Sequence, residues 1–315
     1  MKHAYLIIAH NNRRILEILL SMLDDIRNDI YLHVDARSKL LDDLNVTLKH
    51  SHLYVLRNRI KVSWGTVSQI KTEYALFKSA YSNGPYSYYH LLSGVDLPIK
   101  SQDYIHHFMN DEKREFIGYA QGKHADDDCT SKVQKIYLLT KFVRAGDPFF
   151  NKIVYRINII LSNVLYFIGL KQNIGGGKRK GPNWVSVTQE CMAYILEKEK
   201  EVLSEYKWSL CGDEIFIQSL VWNNPLLRSR LYCVSNEMKG CLRAIDWNRG
   251  APYTWQIEDY EMLIHSDKLF ARKFDEQHID VAEKIRDAIL YRSGDVGADK
   301  LEYRNNIKLA SNKSL

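Results

Sequence analysis

Short apolar runs alternate with amphipathic stretches through the first hundred residues, and few folds accommodate that alternation. Tyr5–Ala9, Ile30–Val34, Leu53–Leu56 and Tyr88–Leu92 have the length and apolar density of buried strands. Between them, Arg13–Asp25, Lys39–Lys49 and Ser68–Ser82 carry apolar residues three and four apart, as in Ile70, Tyr74, Phe77 and Tyr81, which predicts helices. A helix after each strand returns the chain so that the next strand runs parallel, giving an α/β fold with a mostly parallel sheet flanked by helices. At 315 residues, 45% apolar and 26% charged, the chain can bury a large core and is unlike disordered sequences. We expect one domain over residues 1–300, with a nucleotide-binding half (1–120), an acceptor-binding and catalytic half (121–300) and a tail at 301–315.

Beyond residue 110, Glu115–Tyr119 reads as a strand and Gln121–Lys132 as a polar loop. The apolar segment Phe149–Leu170 is interrupted by Arg156, Asn158, Ser162 and Asn163, so it predicts an amphipathic helix, buried or in peripheral contact with a membrane, rather than a span. The basic stretch Gly175 to Gly181 fails the phosphate-loop pattern, because Arg179 stands where a Ser or Thr is needed; it reads as a lid or acceptor loop, or as a plain exposed loop. Helices follow at Gln189–Glu205 and Glu214–Trp222, strands near Leu231–Val234 and Leu242–Trp247, and helices from Ile257 and Asp280.

The net charge of +6 favours a small anionic ligand over nucleic acid, which needs a wider basic surface. Twenty Tyr and six Trp suit the stacking of sugars or bases, although aromatics also fill cores. Five cysteines without a C-x-x-C pair encode neither a zinc site nor a disulfide framework, and fit reduced thiols in a cytoplasm. The apolar run Ala4–Ala9 stops at His10 to Arg14, too short for a secretory core. A cytoplasmic location, with access to the inner face of a membrane, is the expectation.

Ligands of parallel sheets bind beyond the carboxyl ends of strands, so the residues just after each strand are inspected first. His10 follows the first strand, Asp35 closes His33-Val34-Asp35 after the second, and Ser93-Gly94-Val95-Asp96 follows the fourth. Three polar strand ends suggest a nucleotide cleft; each alone would equally serve as a cap or turn residue.

Five phrases then carry a specific resemblance: Leu32 to Ser38 (LHVDARS), Val62 to Gly65 (VSWG), His90 to Ile99 (HLLSGVDLPI), Leu242 to Trp247 (LRAIDW) and Leu269 to Asp275 (LFARKFD). In order and content they resemble glycosyltransferase family 14, which holds the core-2/I-branching N-acetylglucosaminyltransferases and the peptide O-xylosyltransferases. The resemblance implies a GT-A-type fold and an inverting transfer from a UDP-sugar to a hydroxyl of a glycan or lipid-linked glycan acceptor. It also implies a bacterial-type version without the Golgi members' anchor and disulfides. Donors in the family include N-acetylglucosamine, xylose and glucuronic acid, so a xylosyl- or glucuronosyltransferase is an alternative, as is a non-catalytic binding module that has kept the fold.

The resemblance also assigns roles. Gly212-Asp213-Glu214 is similar to the block whose glutamate is the general base, making Glu214 the catalytic candidate and Asp213 its neighbour, read from sequence as a helix N-cap. Lys273 matches the lysine that contacts the donor phosphates, while Arg243 and Arg249 are candidates for the partner arginine, with Arg249 preferred. Asp35 and His33 belong near uridine, with Asp35 preferred, and Asp96 near the ribose or donor sugar. Trp184, in Gly181-Pro182-Asn183-Trp184-Val185, is similar to an acceptor-side tryptophan. No metal is expected, because Asp96 has Gly94 and Pro98 two residues away, and Asp126–Asp128 lies in what reads as a solvated turn.

Overall fold

The computed structural model describes residues 2–143, 147–172, 174–175 and 177–292. Its strands are β1 (His3–Ala9), β2 (Asn28–Val34), β3 (His52–Val55), β4 (Tyr88–Ser93), β5 (Asp96–Pro98), β6 (Ser186–Thr188), β7 (Arg243–Ile245) and β8 (Phe270–Arg272). The main sheet has the order β3-β2-β1-β4-β6, parallel except for β6, and a small second sheet has the order β5-β8-β7. β1 pairs in parallel with both β2 and β4, so the order reverses beside it, and the carboxyl ends of β1 and β4 are where sheets of this kind take their ligands.

The helices that concern the site are α1 (Arg13–Met22), α2 (Val67–Asn83), α3 (Gln102–Glu112), α4 (Lys123–Gln134), α5 (Pro148–Phe167), α6 (Gln189–Glu197), α7 (Glu199–Glu205) and α8 (Phe216–Trp222). Alternation along β1 sends Tyr5 and Ile7 into one core with Ile15, Leu16 and Leu19 of α1, and Ala4 and Leu6 into a second with Ile70 and Phe77 of α2 and Phe216 of α8. Each buried Leu, Ile or Phe among them contributes about 1.5–3 kcal/mol. Thr66 caps α2 by accepting from the Ser68 N–H, and Ser101 caps α3 through Tyr104. Between β4 and β5 the chain crosses the end of β1 at Gly94, where a Cβ would lie 2.7 Å from the Cβ of Ala9. A side chain there would push away the turn that carries Asp96.

The four leading strands and the first and third helices match the sequence reading, but several later segments differ. Lys39–Lys49 forms turns and loop instead of a helix: Leu40, Leu44 and Val46 still reach the core, while its backbone bonds to Arg13, Glu17 and Asp24. Glu115 and Phe116 make isolated bridges to Leu231 and Ser186, and neither Glu115–Tyr119 nor Leu231–Val234 is a continuous strand. The stretch read as a polar loop is mostly α4, and the helix at Gln189–Glu205 is two, divided at Lys198. The expected tail at 301–315 lies outside the described residues. All five cysteines are free thiols.

Candidate active site

Asp35, one residue past β2, is committed to its own loop. Its Oδ1 accepts from the Arg37 N–H (2.8 Å) and Nε (3.1 Å), and its Oδ2 from Arg37 Nη2 (3.0 Å) and the Val62 N–H (2.8 Å). Burial acts to raise its pKa, but these donors outweigh it and hold the carboxyl below the usual range. His33 Nε2 accepts from the Ile60 N–H at 2.9 Å, which fixes the same loop. His10 stands exposed at the end of β1; reduced hydration lowers its pKa, Asp35 opposes and Arg37 adds to the lowering.

Asp96, 2% exposed, accepts from the Ser93 N–H (2.8 Å) and hydroxyl (2.7 Å) and faces Arg272 Nη1 at 3.4 Å. The Arg272 guanidinium stands 4.1 Å from the centroid of the Trp184 ring. Arg272 is largely buried: its side chain is 15% exposed and joins two residues, Asp96 and Trp184, that the resemblance assigned to the donor and the acceptor side.

The carboxylates of Asp213 and Glu214 diverge from one short 3₁₀ turn, Gly212–Glu214. Cys211 enters that turn in the left-handed region (φ 51°, ψ 48°), a conformation that costs a non-glycine residue roughly 1–2 kcal/mol. Asp213 is not the helix N-cap its sequence position suggested: Ile215 occupies the cap of α8, and Asp213 Oδ2 accepts from Gln69 Nε2 (2.7 Å) and Asn183 Nδ2 (3.3 Å). Burial, reinforced by the charge of Glu214, pushes its pKa up to about 7. Beside it, the fully buried Glu73 of α2 is pushed well above the carboxylate range by burial, with the Asp213 charge adding and Asn183 opposing. Asn183 thus sits between a buried acid pair on one side and, through the adjacent Trp184, the Arg272–Asp96 pair on the other.

Glu214 turns the opposite way, is 36% exposed, and meets Lys132 Nζ at 3.2 Å and Lys180 Nζ at 3.7 Å. Both lysines also reach Asp128, at 3.2 and 2.6 Å. Burial works against the Lys132 charge, but Glu214 and Asp128 outweigh it and raise its pKa. Asp128 is consequently not a solvated turn residue; it lies on α4, four residues before Lys132, and holds the lysines that face Glu214. The loop read as a lid is anchored here as well: Lys178 pairs with Glu205, Arg179 with Asp126, and the Gly181 N–H donates to the Glu214 carbonyl.

The profile of the Core-2/I-Branching enzyme family matches residues 3–271. This chain belongs to that family of glycosyltransferases. No curated protein matches it. Among solved structures, apo mouse xyloside xylosyltransferase 1 is similar over 86% of this chain and 96% of that one, at 11% identity and a TM-score of 0.33. S. aureus TarS 1–349 is similar over 45% of this chain and 44% of that one, at 11% identity and a TM-score of 0.26.

In this branching-enzyme relative the candidate phosphate cations differ in availability. Arg243 is 2% exposed and bonds to the Cys241 carbonyl (2.5 Å), the Val185 carbonyl (3.1 Å) and Ser186 Oγ (3.0 Å), tying β7 to β6; burial pushes its pKa down to about 10. Arg249 is held by Asp246 (2.6 Å) and Asp259 (2.8 Å). Lys273, next to Arg272 at the end of β8, makes no ion pair among the described residues. Sequence reasoning missed Lys132, Lys180, Glu73 and Asn183; the four-residue spacing of Asp128 and Lys132 was the one readable signal.

Proposed function

We propose that this branching-enzyme relative is an inverting glycosyltransferase that moves a sugar, N-acetylglucosamine, from its UDP conjugate to a hydroxyl of a glycan acceptor, forming a β-linkage in surface-polysaccharide synthesis. The observation that carries this reading is the division of labour at Asp213–Glu214: one carboxyl is buried against Gln69 and Asn183 and braces the turn, while the other stays accessible beside Trp184's loop. In the displacement, the acceptor oxygen attacks the anomeric carbon while Glu214 takes its proton. The bond to the diphosphate breaks with its electron pair leaving on the phosphate oxygen. Lys273, which makes no ion pair among the described residues, supplies positive charge for that leaving group. Trp184 offers an aromatic face for a sugar ring.

The test is a panel of UDP-sugars assayed for thermal stabilisation and, with oligosaccharide acceptors added, for UDP release. A donor at a hundred times its Kd should stabilise the protein by about 2.7 kcal/mol, and UDP-N-acetylglucosamine should shift the midpoint most. No shift and no UDP release with any donor would overturn the reading; a larger shift with UDP-xylose or UDP-glucuronate would change the sugar alone.

A further inference from the structure

Helix α5 buries two polar side chains against the protein and turns a row of apolar ones to solvent. Asn158 and Ser162 are fully buried, with Asn158 Oδ1 accepting from the Leu139 N–H at 3.0 Å and its Nδ2 donating to Thr140 Oγ1 at 3.1 Å. On the outer side, Phe149, Ile153, Ile157, Ile160, Val164 and Phe167 recur every three or four residues, which is one continuous stripe on a helix of 3.6 residues per turn. They are exposed, Phe149 by 73%, Ile160 by 62% and Phe167 by 89%. Each would gain free energy on leaving water, and contiguous apolar faces of this kind mark interaction surfaces.

Charge selects the occupant. From residue 148 to residue 171 the sequence has no Asp or Glu but carries Lys152, Arg156 and Lys171, whereas the later Lys178, Arg179 and Lys180 are paired with Glu205, Asp126 and Asp128. Lys152 and Arg156 fall beside the apolar stripe, where their ammonium and guanidinium heads can reach headgroup depth while the stripe enters the acyl boundary. Two copies of this basic helix would repel one another. The segment 293–315, with three acids against four bases and few large apolar residues, complements the stripe in neither respect. No helix among the described residues is long and apolar enough to cross a membrane, so α5 would lie along the surface.

We infer that α5 is a membrane-docking helix that inserts its Phe149–Phe167 stripe into the interface of an anionic lipid bilayer. On the inner side of the helix, Ile159 joins Trp64, Tyr137, Leu210 and Cys211 in one small apolar cluster. Docking would therefore set the turn that follows Cys211, and Glu214 on it, close to the lipid surface. The inference does not depend on which sugar is moved, or on transfer at all.

The test is co-sedimentation of the full chain with vesicles of phosphatidylcholine alone and of phosphatidylcholine with about one-third phosphatidylglycerol. Binding to the anionic vesicles alone, weakened by salt and reduced about tenfold or more by the double variant Ile160→Asp, Phe167→Asp, is the expected result. Both positions are exposed, so an unchanged thermal midpoint would verify folding of the variant. Wild type remaining in the supernatant with anionic vesicles would overturn the inference. So would equal binding of the variant, or a wild-type dimer that ignores lipid and is dissolved by the variant.

Discussion

Asp96 and Arg272 face one another in register across the antiparallel β5–β8 ladder, with Arg272 Nη1 3.4 Å from Asp96 Oδ1. Asp96 is 2% exposed, so deleting the cation leaves a buried carboxylate with Ser93 as its remaining donor. Arg272→Met is expected to lower stability by about 3 kcal/mol, measured as a fall in the urea midpoint. Adding Asp96→Asn should recover part of that loss; no recovery would mean that the two residues do not act as a pair.

Lys273 has no carboxylate partner among the described residues, whereas Arg249 has two, Asp246 and Asp259. A lysine facing a desolvated diphosphate contributes about 1.5–3 kcal/mol as a charged hydrogen bond. Lys273→Ala should therefore weaken UDP binding roughly tenfold or more by calorimetry and lower turnover, and Arg249→Ala should change the affinity by less than about threefold. The reverse order would place the phosphates at Arg249.

Chelation gives a separate test. Both oxygens of Asp96 are engaged, by Ser93 and Arg272, so this carboxylate is occupied by protein donors and a cation of the chain itself. On the reading proposed above, the leaving diphosphate then relies on Lys273 for its counter-charge. Transfer should survive excess EDTA, and added Mn²⁺ should alter the rate by less than a few-fold, the scale of an ordinary ionic effect. Activity abolished by EDTA and restored by Mn²⁺ would assign the charge to a metal.

Glu73 predicts a pH dependence. Its pKa in the folded chain is raised, first by burial and then by the Asp213 charge, so the stability it contributes is full below its unfolded pKa and is lost as pH rises from about 4.5. Glu73→Gln keeps the shape without the titration. Its thermal midpoint should exceed that of wild type by several degrees at pH 8, with the advantage fading towards pH 4. A pH-independent difference would show that Glu73 is not the group responsible.

The strands β1, β2 and β4 were legible because they are mostly apolar and buried along nearly their whole length, as strands covered on both faces are. The Lys39–Lys49 segment misled because Leu40, Leu44 and Val46 have helical spacing, yet its N–H groups at Asn45 and Lys49 bond to Glu17 and Asp24, contacts that no local pattern encodes. The strands β5, β6, β7 and β8 have three residues each, too few for a two-residue period to register. Glu214, Trp184 and Asp96 were named from their motifs. Lys132 and Lys180 were not, because their meaning lies in a carboxylate 82 and 34 positions away. Arg243 was readable as a conspicuous arginine, but its burial between β6 and β7 depends on how the two sheets meet.

The most direct test of the account is Glu214→Gln, assayed for transfer and for UDP binding on the same preparation. The change keeps volume and leaves the nucleotide contacts alone while removing the proton acceptor. Turnover should fall about a hundredfold to ten-thousandfold with UDP affinity within roughly threefold of wild type. Near-normal turnover in this variant would contradict the assignment and move the base off Glu214.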